Sequence, residues 1–208
     1  MRTLVVAEFL SLDGVMQAPG GPDEDLDGEF RFGGWVAPYS DELTRQDVED
    51  IHSRPFELLL GRRTYDIWAA YWPHVPPNTP SSAIAHVFNS VTKHVATHRA
   101  ASLEWQNSRA LEGDPAHAVH TLKQQTGPDL LTWGSASLVQ QLLTAGLVDE
   151  LRLQIFPIVL GHGKRLFNEN AQPAGFRLAR FVGNPEGVLI THYVHAGEVR
   201  TGSFNDLE

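Results

Sequence analysis

The sequence predicts an α/β fold: one central mixed, mainly parallel sheet flanked by helices, with antiparallel strands at its C-terminal edge. Three observations carry that expectation. Short apolar runs alternate with helix-forming segments from Arg2 to Thr144, the pattern of strand–helix units on a parallel sheet. From Glu150 the pattern changes to period-two alternation and a hairpin, which adds antiparallel strands to one edge. The chain has 208 residues, 42% hydrophobic and 20% charged, which suits one core and a single domain over residues 1–208.

The elements follow in order. Arg2–Phe9 reads as a buried strand because Leu4, Val5, Val6 and Ala7 run without a polar residue, and Glu8 interrupts only afterwards. Residues 11–39 hold six glycines and three prolines among scattered acids. That is a long loop, and such loops are usually functional or disordered. Ser40 is placed to cap a polar helix, Asp41–Arg54. Phe56–Leu60 is a short strand ending at Gly61, followed by a helix over Arg62–Tyr71 that Trp72-Pro73 ends. Thr79–Val91 reads as a helix and Lys93–Thr97 as a strand. Asp114-Pro115 starts a helix over Ala116–Gln125, since proline suits a first helical turn. Asp129–Trp133 is a strand, and Ser135–Thr144 a helix ended by Gly146.

In the last third, Glu150–Leu160 alternates, with Leu151, Leu153 and Ile155 on one face and Arg152 and Gln154 on the other. Gly161–Gly163 is a turn, with Phe167 as an expected core anchor. Phe176–Val182 and Val188–Val194 form a hairpin through Gly183-Asn184-Pro185-Glu186-Gly187.

Charge narrows the function. The formal charge is -9. Residues 11–50 hold 11 acids and only two bases, Arg31 and Arg45, while the rest of the chain has 14 of each. No basic tract exists, so a nucleic-acid partner is not expected. No apolar run reaches the roughly 18 residues of a membrane span, and no membrane partner is expected. The absence of cysteine removes thiolate chemistry and fits a cytoplasmic protein. The histidines form no convincing metal set, and no Gly-x-Ser-x-Gly elbow is present.

Two strand-to-helix turns carry the functional signal. At Leu60-Gly61-Arg62-Arg63-Thr64, a buried strand enters a helix whose first turn bears two guanidiniums. Unpaired N–H groups, the helix dipole and bidentate arginines all suit phosphate. At Trp133-Gly134-Ser135-Ala136, the backbone N–H groups suit a pyrophosphate in the same way, although Ser135 also reads as a plain N-cap. The strand end Thr97-His98-Arg99 suits a phosphate ester on a ribose, or is a polar surface loop. Val15 and Met16, apolar residues after the Asp13-Gly14 turn, suggest a loop that covers something flat.

These motifs, in this order and spacing, resemble the dihydrofolate reductase-like superfamily, in the branch of the RibD C-terminal (riboflavin biosynthesis reductase) domain. The carrying features are Ser11-Leu12-Asp13-Gly14, Leu60-Gly61-Arg62-Arg63-Thr64-Tyr65, Trp133-Gly134-Ser135, and Leu147-Val148-Asp149-Glu150-Leu151 running to Pro157-Ile158-Val159-Leu160-Gly161-His162-Gly163. The resemblance implies NADPH as cofactor. Gly61, Arg62, Arg63 and Thr64 would hold phosphates, and Gly134, Ser135 and Ala136 the pyrophosphate. Thr97, His98 and Arg99 would lie near the adenosine ribose phosphate. Phe9, Leu10, Val15 and Met16 would frame the nicotinamide. Where the family often has Gly-Gly, this chain has Gly134-Ser135. The resemblance also implies a helix acid near substrate, for which Asp41, Glu42 and Asp47 are in place, with Asp41, in the first turn of its helix, as the candidate. Separately, Gln154, on the strand before Pro157, either reaches substrate from the sheet side or is an exposed strand residue.

The expected function is hydride transfer from NADPH to a small-molecule substrate. The acidic 11–50 segment suggests that this substrate is neutral or cationic. A riboflavin-pathway reductase of the phosphorylated pyrimidine and a non-catalytic nucleotide-binding or dimerisation module are the alternatives. A homodimer covering the apolar C-terminal strands is also expected.

Overall fold

A computed structural model describes residues 1–99, 103–169 and 171–204. Eight strands form one sheet: β1 (Leu4–Ser11), β2 (Phe56–Gly61), β3 (Lys93–Ala96), β4 (Ser108–Ala110), β5 (Asp129–Trp133), β6 (Glu150–Phe156), β7 (Phe176–Gly183) and β8 (Leu189–His195). Their order is β4-β3-β2-β5-β1-β6-β8-β7. Every pair from β4 to β6 is parallel, and β8 and β7 add antiparallel at the far edge. This is the mixed, mainly parallel sheet of the dihydrofolate reductase-like fold.

Among the described residues five α-helices flank it: α1 (Glu42–His52), α2 (Arg62–Tyr71), α3 (Ser82–Ser90), α4 (Pro115–Gln124) and α5 (Ala136–Thr144). Central β1 is apolar on both faces because helices cover both. Leu4, Val6 and Leu10 pack with Val119 of α4 and Leu138, Val139 and Leu142 of α5. Val5 and Ala7 pack on the opposite side with Ile51 of α1, Tyr65 of α2 and Phe88 of α3.

Several expectations need correcting. Asp41, not Ser40, caps α1. Its carboxylate accepts the Thr44 N–H, and the Thr44 hydroxyl accepts the Asp41 N–H, a reciprocal capping box. α3 begins at Ser82, three residues later than expected. β6 stops at Phe156, where Pro157 removes the next ladder donor. Strand β4 was not anticipated, because three residues are too few to show alternation. Phe167 lies exposed, and Leu166 is the fully buried anchor instead.

The 11–39 segment is a packed structure. Val15, Phe30 and Trp35 form a third apolar cluster with Phe156 and Val188. Buried Gln17 organises it: its amide donates to the Asp25 and Asp27 carbonyls, its side-chain oxygen accepts the Lys164 N–H, and its carbonyl accepts the Trp35 indole N–H. Asp13 ties the segment to the turn after β6, accepting the Leu160 and Gly161 N–H groups at 3.0 and 2.9 Å and Arg165 at 3.1 Å. Burial pushes the Asp13 carboxyl up, but bonds from Ser11, Leu160, Gly161 and Arg165 outweigh it and hold the group well below the ordinary range. Gly163 completes the junction. Its φ is +127°, and a Cβ there would lie 2.7 Å from Val15 Cγ1.

Candidate cofactor and substrate cleft

The carboxyl ends of β1, β2 and β5 open onto a cavity of about 480 Å³. A second cavity, about 840 Å³, shares Gly61, Arg62, Arg63 and Ser137 with the first and runs on to Thr97, His98 and Arg99. The two form one cleft across the sheet edge, where ligands of α/β sheets bind.

Three helix starts face this cleft, those of α2 and α5 and, in the second cavity, that of α4 at Asp114 and Pro115. α2 begins at Gly61 and α5 at Ser135, and no side chain caps either first turn. Of the helices that start outside the first cavity, α1 and α4 are capped by Asp41 and Asp114, and α3 has no side-chain cap. Uncapped N–H groups leave donors for a ligand. The two turns are bonded to each other: Gly61 N–H donates to Ser135 Oγ at 2.8 Å, and Ser135 N–H to Thr64 Oγ1 at 2.8 Å. So the Ser135 hydroxyl does not serve as an ordinary N-cap. Its own amide is occupied as well. Gly134 and Ser135 both have positive φ, +62° and +58°, and the described residues contain no cis peptide.

One end of the cavity is aromatic. Phe9 lies 5.1 Å from Trp133, ring centre to ring centre, and Trp68 and Trp72 of the α2 region complete the wall with Met16 and Val36. Trp133 is held from behind by His52, whose Nε2 accepts the indole N–H at 3.2 Å while Nδ1 donates to the Val48 carbonyl. Burial lowers the His52 pKa to about 4, which keeps the imidazole neutral and in this tautomer.

The other end is charged. Asp25, 8% exposed, accepts both Arg63 and Lys164 at 2.6 Å, and Asp27 adds Lys164 at 3.0 Å. Burial raises the Asp25 carboxyl, but Arg63, Lys164 and the Asp27 N–H outweigh it, and its pKa falls below the ordinary value. Arg62 bonds Asp66 and the Arg99 carbonyl.

Of the residues expected at the site, Phe9, Met16, Gly61, Arg62, Arg63, Thr64, Gly134, Ser135 and Ala136 line the first cavity, and Thr97, His98 and Arg99 line the second. Leu10 and Val15 line neither: Leu10 points into the α4–α5 core and Val15 into the third cluster. Asp41 is committed to its capping box. Gln154 turns toward α1, donating to the Thr44 carbonyl and to Asp47. Asp47 is itself fully buried, bonded by Arg180 and His192 at 2.8 Å each. These groups anchor α1 to the antiparallel edge and do not enter the cleft.

The charge argument needs correction too. Asp13, Asp25, Asp27 and Asp47 pair with Arg165, Arg63, Lys164 and Arg180, all from outside residues 11–50. These four acids are therefore balanced locally and do not act on the cleft as free charges.

Sequence reasoning missed Lys164 and Arg165, which a glycine turn brings to the cleft, Trp68, which read as an ordinary helix residue, and Trp72, which read only as a helix end. It also missed Glu8. This side chain lines the first cavity at 3% exposure, and its Oε1 has no hydrogen-bond partner. The available signal was a lone acid inside an apolar strand. Trp72 Nε1 is a second buried, unpartnered polar atom on a cavity-lining residue.

The sequence profile of the RibD C-terminal domain matches residues 2–190. The chain belongs to the RibD C-terminal domain family. It is 32% identical over 125 residues to the uncharacterized protein YyaP of Bacillus subtilis (strain 168), covering 58% of this chain and 64% of YyaP, a little under two thirds of that protein's length. Its fold is that of a pyrimidine reductase-like protein from Corynebacterium diphtheriae (TM-score 0.59, 13% identity, 95% and 93% of the two chains). It is also that of a dihydrofolate reductase from Enterococcus faecalis complexed with NADP(H) (TM-score 0.56, 12% identity, 93% and 96%). Among the described residues, no helix is long and apolar enough to cross a membrane.

Proposed function

We propose that this chain is an NADPH-dependent reductase that binds the dinucleotide along the joined cavities and reduces a small unsaturated substrate at the aromatic end. The observation that supports this most is the pair of uncapped helix starts, α2 and α5, flanking one cleft. Nicotinamide, when bound, supplies the hydride. The chain's own residues bind and orient. First-turn N–H groups of α2 and α5 offer donors to the diphosphate. Arg62 and Arg63 add positive charge there. Thr97, His98 and Arg99 lie where a ribose 2′-phosphate would be met, which favours NADPH over NADH. Phe9, Met16 and Trp133 give the nicotinamide an apolar floor that excludes water. The Trp72 indole N–H is a donor without a partner at the end left for substrate. The dihydrofolate reductase neighbour was captured with NADP(H), which agrees with this choice of cofactor. A homodimer that covers β7 and β8 belongs to the same reading.

A second reading, reduction of a phosphorylated pyrimidine in the riboflavin pathway, draws on the pyrimidine reductase-like neighbour and on Arg63 and Lys164 at the charged end of the cleft. A thermal-unfolding titration decides the first step. NADPH at a hundred times its dissociation constant should stabilise the fold by about 2.7 kcal/mol, with NADH weaker. Equal responses would remove the 2′-phosphate assignment, and no response to either would remove the whole reading. NADPH oxidation with carbonyl, imine and pyrimidine substrates then separates an enzyme from a nucleotide-binding module.

A further inference from the structure

Glu8 sits at a special place in the sheet. On one side β1 pairs with β6, Glu8 opposite Leu153. On the other, the ladder with β5 ends one residue earlier, at Ala7 opposite Trp133. β5 then peels away into the Gly134–Ser135 turn, and Glu8 stands at the opening. Strand alternation puts its side chain on the face of Leu4, Val6 and Leu10, toward α5. The Gly134 backbone N–H faces the carboxyl and favours its charged form, while Oε1 has no hydrogen-bond partner.

The cations of the cleft are engaged elsewhere: Arg63 and Lys164 with Asp25, Arg165 with Asp13, Arg62 with Asp66. Arg152 of neighbouring β6 is paired with Glu150. The first turn of α5 carries no charged residue. Glu24, the other acid near this wall, accepts the Gly20 and Gly21 N–H groups. Among the described residues no ion pair therefore holds Glu8, and burial pushes its carboxyl well above the ordinary carboxylate range. Among the described residues no group pairs with its Oε1. A buried polar atom with no partner calls for a reason, and a neutral acid in a wall beside an uncapped helix start has one available.

Resting on the reductase reading above, we propose that Glu8 is a cofactor-binding residue whose carboxyl, as the uncharged acid, donates its O–H to the dinucleotide diphosphate lying over the Gly134–Ser135 turn. The uncharged form is essential to this role. An ionised Glu8 offers no donor and repels phosphate. Binding of NADPH should therefore weaken as Glu8 ionises toward alkaline pH, and binding under those conditions should take up a proton.

The test compares the wild type with Glu8→Gln and Glu8→Ala, reading the NADPH dissociation constant from neutral to alkaline pH and the melting temperature of each free protein. Glutamine keeps a donor of the same reach and cannot ionise. Glu8→Gln should bind within about threefold of the wild type at neutral pH and lack the alkaline weakening, which in the wild type should reach about tenfold for each pH unit beyond the carboxyl's pKa. Glu8→Ala should bind about fivefold more weakly at neutral pH. If it proves poorly folded, the pH profile of Glu8→Gln decides alone. Identical pH profiles for wild type and Glu8→Gln would overturn the assignment while leaving the reductase reading intact. Failure of the wild type to bind NADPH at any pH would overturn both.

Discussion

His52 shows how one side chain in the second layer governs the cleft. It lines neither cavity of the cleft, yet it is the only acceptor found for the Trp133 indole N–H among the described residues, and its ring stacks on Trp133 at 5.8 Å. Its pKa is displaced by burial from 6.5 to about 4. Because the folded value lies below the ordinary one, the unfolded chain takes up the proton first as pH falls. The contribution is therefore complete above pH 6.5 and is lost between 6.5 and about 4, an effect of at most about 3 kcal/mol. Other carboxyls titrate in the same window, so the measurement is a difference. Urea unfolding of the wild type across this range should show a steeper acid loss than unfolding of His52→Phe. Parallel profiles would mean that His52 is not held neutral. The variant should also bind NADPH more weakly, because Trp133 loses its anchor.

At the scale of elements, the two strand-to-helix turns act as one unit. Gly61 and Ser135 are 74 residues apart, yet each turn satisfies a backbone donor of the other through Ser135 Oγ and Thr64 Oγ1. Gly134 is the residue that permits this. At φ +62°, a Cβ would lie 3.0 Å from Thr64 Oγ1, so Gly134→Ala adds backbone strain and pushes on the bond that joins the turns. It should destabilise the fold by about 1–3 kcal/mol and weaken NADPH binding, seen in chemical unfolding and titration. A variant with unchanged stability would show that the two turns do not depend on each other. Each turn was legible in the sequence by itself, because an apolar strand, a glycine and a helix start are all local signals. Helix α2 falls on the residues expected, Arg62–Tyr71, for that reason. The bond between the turns was not legible, since nothing local records a partner so far along the chain. The same limit explains Asp41 and Gln154. Their types suited a substrate site, but their directions follow from a capping box and from the packing of α1 on β6. Glu8 was visible only as an interruption, because its meaning depends on where β5 leaves the sheet.

For the molecule as a whole, the two edges of the sheet differ in a way that bears on assembly. β4, at one edge, has three residues, Ser108–Ala110, and offers little ladder to another chain. β7, at the other, has eight, and with neighbouring β8 it exposes Leu178, Phe181 and Leu189 at 48%, 56% and 37%. A long apolar edge of this kind attracts another strand or sheet face unless something covers it. A second copy of the chain is the covering that fits the proposed homodimer, since a two-fold contact matches a patch to itself. The cleft lies at the carboxyl ends of β1, β2 and β5, on the other side of β6 and β8, so association and cofactor binding should be separable. The double variant Leu178→Lys with Phe181→Lys places like charges against each other across such a contact. If the proposed homodimer forms through this edge, the variant should sediment as a monomer where the wild type associates, weakening association by at least about tenfold, while NADPH affinity changes little. Both side chains are exposed in the monomer, so the fold should tolerate the lysines. A wild type that sediments as a monomer at high concentration would show that this edge has no self-partner, and the exposed leucines and phenylalanine would then need a different explanation.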